Sequence, residues 1–242
     1  MILLFTDFGL QSPYSGEVKL ALHRDAPEMP VLDLCADLAP FRPVEAGHLL
    51  AALSGEAPAA AIFLCVVDPG VGGPRRPVVL HADGRWYVGP DNGLLEVVAG
   101  RAREARWFEI SMQPPRLSAT FHGRDLFAPM AAALACGRRP EESGAVACTK
   151  PIVPAPDLAA VIYLDRYGNA MTGLRAANLP SAARLGIRGR TLPRARTFCE
   201  LPSGEAFWYE NSSGLAELAV NQGSAQHALA LEVGDAVQIL GT

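Results

Sequence analysis

The sequence predicts an α/β protein in two domains: a layered domain with a mainly parallel sheet, then a smaller β-rich one. Three observations carry this. Apolar runs alternate with helix-like stretches over the first 136 residues. Two of those runs, ILLFT (2–6) and AIFLCVVD (61–68), are apolar without alternation, the pattern of strands buried on both faces. Beyond a stretch holding Pro140, Pro151, Pro154 and Pro156, the texture changes to short strands and turns.

Taken in order, the first strand ends at Asp7, and Ser12-Pro13 then supplies an N-cap and a favoured first helical residue. Val18, Ala21 and Leu22 follow at helical spacing. PVLDL (30–34) predicts a second strand and 43–54 a second helix ending near Gly55. After the strand 61–68, strands at 77–82 and 86–89 flank the turn Ala82-Asp83-Gly84-Arg85. A helix over 91–99, a strand over 105–110 and a helix over 124–136 complete the first domain, 1–140, with Gly137 past the last helix. Residues 141–157 read as a linker. The second domain, 158–242, contains strands at VIYLD (161–165), near 185–192 and at AVQIL (236–240). It also has a predicted pair, RTFCEL and AFWYE, around Pro202-Ser203-Gly204, and the set suggests a small barrel or sandwich.

Composition narrows the partners. The 242 residues are 50% hydrophobic and 19% charged, enough for a substantial core and too apolar for a disordered chain. With 21 basic against 25 acidic residues, the formal charge of −4 lacks the basic surplus that nucleic-acid or anionic-membrane binding needs. A small polar metabolite is the expected partner, with no nucleic acid and no membrane. MILLFTDFG has no basic leader region. Cys35, Cys65, Cys136, Cys148 and Cys199 are scattered and form no CxxC, so they read as reduced thiols of a cytoplasmic protein.

Ligands of open α/β sheets bind beyond the carboxyl ends of strands, where strand order switches. Asp7 and Asp68 stand at two such ends. The loop after Asp68, PGVGGPRRP, allows close backbone approach to a ligand and returns Arg75 and Arg76 towards the strand ends. FHGRD (121–125) exposes His122, Arg124 and Asp125 ahead of a helix, whereas PDNG (90–93) reads first as a turn and N-cap. The nucleotide fingerprints GxGxxG and GK[ST], and the hydrolase signatures HExxH and GxSxG, do not occur. An aspartate, arginine and histidine together suit the holding and polarising of a water molecule. By residue type alone, Asp7 and Asp68 equally suit helix N-caps, the arginines solvated charges, and His122 a half-buried structural imidazole.

Taken together, TDFG (6–9), VVDPGVGG (66–73), GPDNGLL (89–95), TFHGRDLFAP (120–129), LDRYGN (164–169), NSSGLAELAVNQGSA (211–225) and a closing Gly234-Asp235 form a more specific signal. In this order and spacing they resemble the S-adenosyl-L-methionine (SAM) hydroxide adenosyltransferases, the SAM hydrolases related to SAM-dependent fluorinase and chlorinase. The resemblance spans essentially the whole chain. It implies a Rossmann-like N-terminal domain, a C-terminal β-barrel and a homotrimer with sites between subunits. It also implies conversion of SAM and water to adenosine and L-methionine with no cofactor or metal. By the same resemblance, Asp68, Arg75 and His122 are the water-activating triad and Asp7 holds the ribose. Asp165 then faces the methionine amino group and Asn169 the adenine; Ser212 meets the methionine end, and Glu217 and the Val220 backbone lie near the nucleoside. The halogenases lack an acid at the Asp68 position. A carboxylate there repels a halide and holds water.

Overall fold

The computed structural model describes residues 1–241, in two compact units. The first comprises Met1–Gly47 and Glu56–Ala155; the second comprises His48–Gly55 and the chain from Pro156 onward.

The first unit is built on a seven-stranded sheet. Its elements in chain order are β1 (Ile2–Thr6), α1 (Pro13–Asp25), β2 (Val31–Cys35) and the start of α2 (Pro43–Leu53). There follow β3 (Ile62–Val66), β4 (Pro77–Ala82), β5 (Arg85–Pro90), α3 (Glu96–Arg101), β6 (Ala105–Ile110), α4 (Ala128–Ala135) and β7 (Ala145–Cys148). The sheet order is β2-β1-β3-β5-β4-β6-β7. β1 is parallel to β2 and β3, β3 is parallel to β5, and the pairs β5–β4, β4–β6 and β6–β7 are antiparallel. Only β4 and β7 therefore run against the rest. β1 and β3 are buried throughout. Ile2, Leu4, Ile62, Leu64 and Val66 form one core with Val18 and Leu22 of α1 and Met130 and Leu134 of α4. On the opposite face Phe63 stacks on Tyr87 with centroids 4.7 Å apart. Each such large side chain contributes about 1.5–3 kcal/mol on burial. The Ser12 cap is present, its Oγ accepting from Tyr14 N–H at 3.3 Å.

Two expectations for this unit are corrected. The helix expected over 91–99 begins only at Glu96, because Gly93, at φ +102°, and an Asn92 side chain bonded to Leu94 N–H make 91–94 a turn. Part of the expected linker 141–157 is structured: Ala145–Cys148 pairs with β6 as the seventh strand, its short alternating edge hidden among prolines.

The second unit is β-rich: β8 (Leu158–Leu164), β9 (Ala170–Arg175), β10 (Arg184–Ile187), β11 (Arg190–Leu192), β12 (Ala206–Glu210), β13 (Leu215–Val220), α5 (Ala225–Leu229) and β14 (Gln238–Leu240). They form two separate antiparallel sheets, β12-β13-β9-β8 and β11-β10-β14. Isolated bridges Ala160–Ala236 and Arg194–Trp208 join the sheets at two edges. Trp208 is fully buried, with Nε1 donating to the Ala183 carbonyl at 3.1 Å. The expected hairpin of RTFCEL with AFWYE is also corrected. β12 pairs instead with β13, and Phe198–Glu200 is a single tight turn whose Phe198 packs edge-on against Phe207 and Tyr209. Among the described residues no helix is long and apolar enough to cross a membrane, and the cysteines form no disulfide.

Candidate active site

Strand order reverses between β1 and β3, since β2 lies on one side of β1 and β3 on the other. Carboxyl ends of strands at such a reversal open a crevice. Asp7 follows β1 directly and donates its backbone N–H to the Val66 carbonyl at 3.3 Å. Asp68 lies two residues beyond the end of β3. Both acids line a cavity of about 110 Å³ with Phe8, Phe41, Thr120, Phe121 and His122.

Behind that cavity the three groups singled out for water activation meet. Arg75 Nε donates to both Asp68 carboxylate oxygens at 3.0 Å, and Nη2 makes a further short bond to Oδ2. The same Nη2 lies 2.9 Å from His122 Nδ1. The Arg75 and Asp68 side chains are 9% and 4% exposed, so this ion pair is shielded from water. A guanidinium has donors and no acceptor. His122 Nδ1 must therefore present its lone pair to Arg75, which leaves the ring proton on Nε2. Burial first, then the Arg75 charge, push the His122 pKa below that of an ordinary imidazole, which also favours the neutral ring. Asp7 shifts the other way. Burial raises it from 3.8 to about 6, its own backbone hydrogen bond opposes the rise, and the neighbouring Asp68 charge adds to it.

Local backbone chemistry brings the two loops together. Gly72, at φ +75°, lies against the Ala119 carbonyl, where a Cβ would collide. This contact joins the loop of Asp68 and Arg75 to the one leading into His122. Directly after His122 the helix opens with one wide turn, Gly123–Phe127, in which Ala128 N–H donates back to the Gly123 carbonyl. Such wide turns recur at functional sites. Gly72→Ala is expected to cost about 1–3 kcal/mol from backbone strain and the collision, lowering the melting midpoint by roughly 3–9 °C. Thermal denaturation measures this, and an unchanged midpoint would contradict the close approach.

Of the other polar groups in these loops, Arg76 binds Asp91 at 2.9 Å. Arg124 binds Glu17 and Asp125, each at 2.6 Å, and Asp125 accepts from Ser118 N–H. Those pairs organise the surface and line no part of the cavity with Asp68. Arg124 and Asp125 border a separate open groove of about 660 Å³ beside α1.

In the second unit, Asp165, Asn169 and Val220 line a cavity of about 650 Å³ with Tyr167, Phe198, Tyr209 and Gln222. Asp165 organises its own loop, accepting from the backbone N–H groups of Tyr167 and Asn169 at 2.8 Å and from Asn169 Nδ2 at 3.1 Å. Glu217 and Ser212 do not line this cavity. Ser212 is exposed on the turn joining β12 to β13. Glu217 is 2% exposed and accepts from the Tyr209 hydroxyl and from Asn211 Nδ2, both at 2.7 Å. Burial raises the Glu217 pKa against those two bonds. Tyr209 directs its hydroxyl proton at Glu217 and so offers the cavity only lone pairs. Sequence reasoning missed Tyr209, Phe8, Phe41 and Phe121. The alternation in AFWYE is a signal for Tyr209, but its pairing with Glu217 depends on the β12–β13 register.

A carboxylate that accepts and a neutral imidazole that donates, side by side on a small cavity, make an arrangement for holding one water molecule. The class this defines is that of small-molecule enzymes transferring water or hydroxide. Residues 2–144 match the SAM hydroxide adenosyltransferase N-terminal domain, and residues 159–238 match the C-terminal domain of the same family. The chain belongs to that family. It is 40% identical to an (R)-S-adenosyl-L-methionine hydrolase of Thermus thermophilus over 99% of both chains. It is 36% identical to an (R)-S-adenosyl-L-methionine hydrolase of Salinispora arenicola, covering 97% of this chain and 95% of that one. An uncharacterized conserved protein of Thermotoga maritima, known from its crystal structure, superposes with a TM-score of 0.88 at 31% identity, over 99% of this chain and all of that one.

Proposed function

We propose that this protein hydrolyses S-adenosyl-L-methionine to adenosine and L-methionine, water attacking ribose C5′ in line with the sulfonium. The observation that carries the reading is the single guanidinium of Arg75 bonded to both Asp68 and His122. His122, with its proton on Nε2, donates to the water oxygen; Asp68 accepts a water proton. As the oxygen–C5′ bond forms, the C5′–S bond breaks, its electron pair stays on sulfur as the methionine thioether, and the proton passes to Asp68 and then to solvent. Holding water and C5′ in near-attack geometry supplies several of the ~7–11 kcal/mol available from proximity. The sulfonium is itself a good leaving group, so the reading invokes no cofactor.

Asp7 accepts from the ribose hydroxyls, Asp165 faces the methionine ammonium, Asn169 and the Val220 backbone hold adenine, and Ser212 meets the methionine end. Glu217 acts through Tyr209 rather than by touching the substrate. We further read the protein as a cytoplasmic homotrimer with its sites at the interfaces between subunits. Supporting this, the Asp7–Asp68 cavity of about 110 Å³ is smaller than the ~300 Å³ at which ligand pockets begin. Its rim also exposes the aromatic rings of Phe41 and Tyr14. The first unit is read as Rossmann-like and the second as a β-barrel, supported by the bridges Ala160–Ala236 and Arg194–Trp208 between its sheets. The domains are read as 1–140 and 158–242, with β7 added to the sheet of the first.

Purified protein incubated with SAM, the (R) sulfur epimer first because the relatives are named for it, is expected to release adenosine and methionine in equal amounts. Added fluoride or chloride yields no 5′-halo-adenosine. Liquid chromatography reads both products, and tight SAM binding without adenosine release would replace hydrolysis by a sensing role.

A further inference from the structure

We propose that the Asp91-Asn92 turn clamps both ends of the loop that carries Asp68 and Arg75, which makes Asn92 a positioning residue for water attack. The proposal rests on the SAM-hydrolase reading and deepens it.

The loop 68–75 needs outside anchorage. It holds Gly70, Gly72 and Gly73 between Pro69 and Pro74, and its internal backbone bonds are Val71 N–H to the Asp68 carbonyl at 3.3 Å and Gly73 N–H to the Gly70 carbonyl at 2.9 Å. Glycine-rich backbone loses more conformational entropy on ordering than any other, so fixing its ends decides where its side chains point. The turn after β5 grips both ends. At the first, Asn92 Nδ2 donates to the carbonyl of Val67, the residue before Asp68, at 2.9 Å. The orientation of that amide is set by its other bond, Leu94 N–H to Asn92 Oδ1 at 3.3 Å. At the second, Asp91 N–H donates to the carbonyl of Arg76, the residue after Arg75, at 2.8 Å. Arg76 returns two bonds to Asp91 Oδ2, at 2.9 and 3.2 Å.

The turn is itself held. Lys150 bonds Asp91 Oδ1 and, at 2.5 Å, Glu96, and its ammonium lies 4.4 Å from the Trp107 ring centre on β6. On β5, which leads into the turn, Gly89 lets the strand approach the Cys65 carbonyl of β3 so closely that a Cβ would collide. Neither Asp91 nor Asn92 lines the cavity of Asp7 and Asp68. Their influence on the reaction runs through the placement of Asp68 and Arg75.

The test is Asn92→Asp, which keeps the shape and the bond to Leu94 N–H but sets an oxygen against the Val67 carbonyl. Adenosine release is expected to lose about 10–100-fold in kcat, with KM within about threefold, because misplacement of a reacting group by an ångström costs on that order. In an Asp68→Asn background the same change is expected to add less than about threefold, since the residue it positions is already disabled. An NMR titration of His122 reads the clamp without turnover: once Arg75 is released from Nδ1, the His122 pKa rises from its depressed value towards that of an ordinary imidazole. If the wild-type protein forms no adenosine, the functional reading fails, and this titration still judges the clamp. Arg76→Ala, on the exposed side of the second grip, is the companion variant should Asn92→Asp not fold, with a kcat loss of about 3–10-fold expected. Wild-type kcat in the folded variant, an equal further loss in the Asp68→Asn background, or an unmoved His122 titration would each overturn the proposal.

Discussion

Asp68→Asn is expected to lower kcat for adenosine release by about 10³-fold, within the 10²–10⁴ span of a lost general base. The asparagine retains one acceptor oxygen for Arg75, so the buried guanidinium keeps part of its bonding and the fold survives. What disappears is the carboxylate beside His122, whose own Nδ1 is occupied by Arg75 and so cannot take the proton. KM is expected to stay within a few-fold, because in the proposed reading Asp68 faces the water and not the ribose or the amino acid. Chromatographic rates at saturating SAM, with a thermal melt as the folding control, decide it. Turnover within threefold of wild type would remove Asp68 as the base.

Asp7→Asn should separate binding from stability. In the free protein the carboxyl is raised from 3.8 to about 6, chiefly by burial. Folding thus favours the protonated acid. That contribution is full below the unfolded value near 3.8 and is lost as pH rises through about 6. Above pH 6 the ionised Asp7 is a cost to the fold. Its replacement by a neutral isostere is expected to stabilise the protein at pH 8 by about 1 kcal/mol after discounting for partial exposure. That gain amounts to roughly 2–4 °C in melting midpoint, shrinking to nothing near pH 4. Affinity moves the opposite way. In the proposed reading the ionised carboxylate accepts from the ribose hydroxyls; asparagine keeps one acceptor oxygen, so the loss of one charge-assisted bond, about 1.5–3 kcal/mol, is expected to raise KM about 10–150-fold. In the wild type, for the same reason, KM climbs as pH falls below about 6. Melts at pH 4 and pH 8 with adenosine titration calorimetry test both halves, and a variant that binds adenosine normally or melts earlier at pH 8 would refute the assignment.

The parts of the fold legible in the sequence are those where one residue's neighbours in the chain carry the physics. Ile2–Thr6 and Ile62–Val66 are unbroken apolar runs because both faces of a central strand are buried. Ser12-Pro13 starts α1 because the cap needs only Ser12 and the next two residues. Where an element depends on a distant partner, the reading slipped. Ala145–Cys148 is an edge strand with two exposed residues, too short to stand out among prolines. Phe198 is apolar because it packs on Phe207 and Tyr209, not because it lies in a strand. The PDNG motif was legible as a turn, but its grip on Val67 and Arg76 was not.

By itself the sequence determined the α/β layering, the acids at the ends of β1 and β3, and the set of motif residues, since these follow from local burial patterns and turn chemistry. Only the tertiary structure decided that Arg75 ties Asp68 to His122, that His122 carries its proton on Nε2, and that Glu217 serves Tyr209. Those facts depend on groups far apart in the chain, 47 residues in the case of Arg75 and His122. Their meeting is set by sheet register and by the backbone contact of Gly72 with Ala119, neither of which local periodicity encodes.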